Sequence, residues 1–128
     1  MRYTKSRDLV RLMLLLLAAS VMAVQSPPPI SLTVSPRYSF APTTIRATIR
    51  ISQHPDNRAF CVWIASATHD TNSCRDLEGE NDRITRDIVF RHPPPGDYIA
   101  QARLLRSTGW TQLSQRVEFQ VIESIPGR

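Results

Sequence analysis

Apolar and polar positions alternate with a period of two in several short stretches of the chain, the signature of half-buried β-strands. Ile30, Leu32 and Val34 alternate with Ser31 and Thr33 until Ser35-Pro36 interrupts the run, and Tyr38 to Pro42 reads as a bend. The second strand is the most regular: Ile45, Ala47, Ile49 and Ile51 share one face, and Thr44, Arg46, Thr48 and Arg50 share the other. Such a pattern suits an antiparallel sheet with one wet side. From Ala59 to Ala65 both parities are apolar, and Trp63 is expected to point inward with Val62 and Ile64 partly covered. Thr68 to Asp82 is polar and rich in turn formers, so one short irregular strand near Cys74 is expected there. Ile84, Ile88 and Phe90 mark a fifth strand whose inward parity also includes Arg86. Tyr98, Ala100, Ala102 and Leu104 define the sixth strand, and Leu113, Val117, Phe119 and Val121 the inward side of the seventh. No useful helical periodicity follows Ala23, and the chain carries no internal repeat.

Between the fifth and sixth strands lies Arg91-His92-Pro93-Pro94-Pro95-Gly96-Asp97-Tyr98. Proline cannot donate to a ladder, so three in a row end one strand, and the glycine lets the chain turn into the next. Seven short strands with turn signals about every ten residues predict an all-β, seven-stranded antiparallel sandwich. Trp63 resembles the core tryptophan of immunoglobulin-like domains, and Gly96-Asp97-Tyr98-Ile99-Ala100 resembles the tyrosine corner that leads into their sixth strand. The corner from Phe90 to Tyr98 also resembles the F-x-x-x-P-P-G-x-Y pattern of transthyretin-like and other bacterial surface sandwiches. On these residues the chain is similar to immunoglobulin-like or fibronectin type III-like exported bacterial β-sandwich domains. It departs from antibody domains where Ala100 stands in the place of their second cysteine.

The first residues read as an address label. Arg2, Lys5, Arg7 and Arg11 form a basic region, Leu12 to Ala19 an apolar run, and Val21-Met22-Ala23 a cleavage site, giving a signal peptide over 1–23. The apolar stretch from Leu12 to Val24 is 13 residues long, against the roughly 20 a bilayer-spanning helix needs. No stable membrane anchor is therefore expected. A Pro-rich lead-in over 24–29, a single sandwich domain over 30–124 and a tail over 125–128 complete the division. Export to the periplasm or the extracellular medium follows from the address label.

Charge and cysteines narrow the partners. Residues 1–23 hold four basic side chains and one acidic one, so their removal lowers the net charge from +5 to +2. That small excess argues against a nucleic-acid partner. Cys61 and Cys74 are the only cysteines, and an even count behind a signal peptide predicts one disulfide. Every basic residue after Ala23 is arginine, and Arg46 and Arg50 share a sheet face that suits an anionic envelope polymer.

The remaining candidates are scattered. His54, His69 and His92 are weak metal candidates, with Asp56 and Asp70 nearby, but no two histidines sit in an H-x-H pair. Asp76, Glu78, Glu80 and Asp82 lack the order of a calcium loop and read as a solvated, mobile loop. No serine lies in a G-x-S-x-G setting, and four scattered glycines make no phosphate loop. Trp110, beside Gly109 at a turn, could stack on a sugar or cap the core. The expectation is a monomeric binding module for a protein or cell-envelope component, not an enzyme, with no cofactor. A periplasmic metal carrier using the three histidines and a glycan-binding module using Trp110 are the alternatives.

Overall fold

The strict alternation in the sequence becomes nine strands in two facing sheets. The structure is a computed structural model that describes residues 26–125. The signal-peptide reading of residues 1–23 lies outside the described residues. The strands are β1 (Ile30–Ser35), β2 (Tyr38–Phe40), β3 (Thr44–Ile51), β4 (Asn57–Ala65), β5 (Asp70–Asp76), β6 (Thr85–Arg91), β7 (Gly96–Arg106), β8 (Thr111–Leu113) and β9 (Val117–Ile122). One sheet has the order β1-β3-β6, and the other has the order β2-β9-β7-β4-β5 with β8 added beside β7. All pairings are antiparallel except β2 with β9. The all-β sandwich read from the sequence is present. It exceeds seven strands because two three-residue strands, β2 and β8, are too short to leave a pattern.

The inward parity of every long strand forms one core. Ile45, Ala47, Ile49 and Ile51 of β3 face Phe60, Val62 and Ile64 of β4 and Tyr98, Ala100, Ala102 and Leu104 of β7, with Ile30, Leu32, Ile88, Phe119 and Val121 filling the remainder. Burying a large apolar side chain fully is worth about 1.5–3 kcal/mol, so these positions determine which face of each strand turns inward.

Tyr98 anchors the proline corner. Its hydroxyl donates to the Pro94 carbonyl at 2.5 Å, and its ring stacks on Phe119 with centroids 4.9 Å apart. A buried tyrosine needs a partner for its hydroxyl, and the carbonyl four residues upstream supplies it. The corner is thus held to the strand it precedes.

Four expectations are corrected. Trp63 does not point inward: Phe60, Val62 and Ile64 are 0% exposed and own the interior, which puts Trp63 on the outer face between its register neighbours Asn72 and Gln101. With both parities apolar, alternation alone does not choose the face, and the interior is filled by Phe60, Val62 and Ile64. Leu113 is exposed, and Ser114 is buried in its stead. The Ser114 hydroxyl accepts from the Ala102 amide and donates to the Gln115 carbonyl, both at 2.9 Å, so a polar side chain closes the kink between β8 and β9. Ile84 precedes β6 and is also exposed. Arg86 does take the inward parity, lying over the Phe60 ring at 5.7 Å and reaching Asp82 at 3.7 Å. Finally, the segment near Cys74 is a full seven-residue strand in register with β4.

The acidic loop that follows β5 is anchored rather than loose. Leu77 is buried and its amide donates to the Arg58 carbonyl at 2.8 Å. Gly79 has φ +86°, and a Cβ there would meet the Pro55 carbonyl oxygen at 2.9 Å, so only glycine fits.

Candidate functional site

Each strand spends one parity on the core, which leaves the other for the surface, and the two sheets use that surface differently. On the three-stranded sheet the outer positions are Ser31, Thr33, Thr44, Arg46, Thr48, Arg50, Thr85, Asp87, Val89 and Arg91. Asp87 accepts from the Thr48 hydroxyl at 2.9 Å and pairs with Arg46 at 3.4 Å. This is a solvated face whose one large apolar side chain is Val89.

The outer face of the larger sheet is of another kind. Tyr38 and Phe40 stand two residues apart on β2, so both project to the same side, and they are 73% and 66% exposed. The parallel register with β9 sets Tyr38 beside Gln120 and Phe40 beside Ile122. Across β9 and β7, Glu118 lies beside Ile99 and Gln120 beside Asp97. Ile99 neighbours Ala65, Gln101 neighbours Trp63, and Ala65 neighbours Asp70 on β5. Tyr38, Asp97, Ile99, Glu118 and Gln120 line a shallow concavity of about 370 Å³. The result is a band in which Phe40, Tyr38, Ile99 and Trp63 are interspersed with Asp97, Glu118 and Gln120, with Asp70 beyond them on β5.

The disulfide belongs to this face. Cys61 and Cys74 are directly opposed on β4 and β5, bonded, with Cα atoms 4.0 Å apart. The bridge clips the edge strand β5 to its neighbour.

The histidines are not brought together. His54 sits in the turn before β4, where its Nδ1 accepts from the Asp56 amide at 3.1 Å, whereas His69 follows β4. Nine strand residues separate those turns, roughly 25 Å at the usual rise. His69 and His92 lie at the same end, His69 edge-on to the Tyr98 ring at 6.4 Å and His92 in a left-handed conformation with φ 53°. Among the described residues no group of three or more His, Cys, Asp or Glu is placed to hold a metal ion. Asp76, Glu78, Glu80 and Asp82 do not converge either, since Asp82 turns back to accept from the Glu78 amide and to pair with Arg86.

Trp110 is 37% exposed, and the Arg106 guanidinium covers one side of its ring at 4.0 Å. Arg46 and Arg50 share the outer face of the three-stranded sheet as the alternation implied, with Arg46 engaged by Asp87. The aromatic band was missed from the sequence. The signal was Tyr38-x-Phe40, an i, i+2 aromatic pair that the prolines at 36 and 42 disguised as a bend.

Neither a protein-family description nor a curated protein sequence matches the chain. Solved structures do share its fold. One is a superoxide reductase (neelaredoxin) from Ignicoccus hospitalis, with TM-score 0.60, 10% identity, and coverage of 73% of this chain and 80% of that one. Another is described as a myokine, with TM-score 0.51, 13% identity, and coverage of 76% and 99%. A third is the PmoD soluble domain from Methylocystis sp. ATCC 49242 (Rockwell), with TM-score 0.50, 13% identity, and coverage of 77% and 94%. At these identities the likeness is one of fold alone. It corrects the expectation that the chain is not an enzyme: the fold is one on which a superoxide reductase is built, so the sandwich architecture gives no ground for excluding catalysis.

Proposed function

We propose that the chain is an exported immunoglobulin-like domain that binds a protein or cell-envelope component through the outer face of its six-stranded sheet. The observation that carries this reading is the exposure of Tyr38, Phe40 and Ile99 on one continuous face with Trp63, while the opposite outer face is almost wholly polar. Large exposed apolar side chains gathered on one face mark interaction sites, and aromatic side chains dominate binding energy where they become covered.

The immunoglobulin-like part is supported by the strand order and by the tyrosine hydroxyl returned to backbone four residues upstream. Export is supported by the disulfide between Cys61 and Cys74.

Photo-crosslinking in cells tests the reading. A photoreactive phenylalanine analogue placed at Tyr38 is expected to trap a partner in the envelope or medium fraction, whereas the same analogue at Thr48, on the opposite face, traps none. Equal yields from both positions would remove the face from consideration, and a product confined to the cytosol would remove export.

A further inference from the structure

The charges around the aromatic band are mainly acidic. The outer positions of the six-stranded sheet carry Asp70, Asp76, Asp97 and Glu118 against a single arginine, Arg103. Arg103 is four residues along β7 from Ile99, about 13 Å away. Arg37 also borders the concavity, its Nε donating to the neutral Glu118 carbonyl at 2.9 Å and its charge left in place, so four carboxylates stand against two arginines around this face. Among the described residues Asp70, Asp97 and Glu118 are in no ion pair, although the chain does pair its carboxylates elsewhere, Asp82 with Arg86 and Asp87 with Arg46. Two of these unpaired carboxylates line the same concavity as Tyr38 and Ile99.

Resting on the binding reading above, we infer that the occupant of this face is a cationic polypeptide segment, one presenting lysine or arginine next to apolar side chains. The chemistry matches at both levels. Tyr38 and Phe40 offer ring faces that attract an ammonium or guanidinium group, and Asp97 and Glu118 complete its neutralisation. The band runs across four neighbouring strands from β2 to β4, some 15 Å at the usual strand spacing, further than a single small amine reaches. A symmetric pair of this same face is disfavoured, because it would set carboxylate against carboxylate.

A random peptide library displayed on phage and panned against the full disulfide-bonded protein tests the inference. Enriched peptides are expected to carry net positive charge with at least one apolar residue. A synthetic copy of the strongest should bind about ten-fold more weakly to the Asp97→Asn, Glu118→Gln double variant, weaken as salt is raised, and lose binding to Tyr38→Ser, Phe40→Ser. The isosteric changes Asp97→Asn and Glu118→Gln keep the fold, which an unchanged denaturation midpoint verifies. Neutral or acidic winners that still need Tyr38 and Phe40 would overturn the cationic partner and leave the face standing. Winners indifferent to Tyr38 and Phe40 would overturn the face itself. No enrichment over uncoated wells, or self-association of the protein that Arg46→Ala and Arg50→Ala abolish, would equally overturn the inference, the latter by making a second copy the occupant.

Discussion

The two outer faces of this sandwich are built by the same rule and reach opposite results. Both use the parity that the core does not claim. On the three-stranded sheet that parity holds Ser, Thr and Arg, with Val89 alone as a large exposed apolar side chain; on the larger sheet it holds Tyr38, Phe40, Ile99 and Leu113. Charge divides the same way, with three arginines and one aspartate on the first against four carboxylates and two arginines around the second. Folding needs neither arrangement, because the buried parity already makes the core. What the contrast teaches is that a polar outer face is available to this chain, so the apolar one is not a default of the architecture.

The disulfide is the harshest test of that contrast, since it is the one covalent element on the apolar face. Replacing Cys61 and Cys74 with serine is expected to destabilise the domain by about 3 kcal/mol, the chain-entropy value for a loop near 15 residues. Denaturant midpoints of the variant and the oxidised protein measure it. A loss below about 1 kcal/mol would mean that the β4–β5 ladder and the buried Leu77 hold the edge strand unaided.

A smaller effect belongs to the polar face. Asp87→Ala removes the partner of both Thr48 and Arg46, and the expected cost is about 0.5–1 kcal/mol because the groups are exposed. Its signature is salt dependence: the difference from the parent protein should shrink as ionic strength rises. A deficit that ignores salt would assign the loss to strand propensity rather than charge.

Much of this fold was legible. The β3 alternation, the inward faces of β1 and β7 and the proline corner were plain because a strand with one buried side writes its parity into the sequence. Trp63 was misread because β4 is apolar on both parities, and only the competition with Phe60 and Ile64 for the interior decides which side wins. β5 was underestimated because an edge strand exposed along most of its length carries no apolar signal. The aromatic band was invisible for a different reason. Its members lie on four strands, β2, β9, β7 and β4, and only the parallel pairing of β2 with β9 brings Tyr38 and Phe40 beside residues some 80 positions later. Register across a sheet is long-range information that no window of sequence holds.

The smallest expected effect is the sharpest control. Arg50 is exposed on the polar face, opposite Ser31 on one neighbouring strand and Thr85 on the other, and among the described residues no carboxylate pairs with it. Arg50→Ala should therefore leave stability within about 0.5 kcal/mol of the parent, as surface substitutions without a partner do. It should also leave binding of a cationic peptide unchanged or slightly tighter, since removing a positive charge from the far side can only ease long-range repulsion. Isothermal titration at low salt reads both the sign and the size. A clear loss of binding would show that the arginine face takes part in recognition, and the division of labour between the two faces would then have to be redrawn with the polar one as a second contact surface.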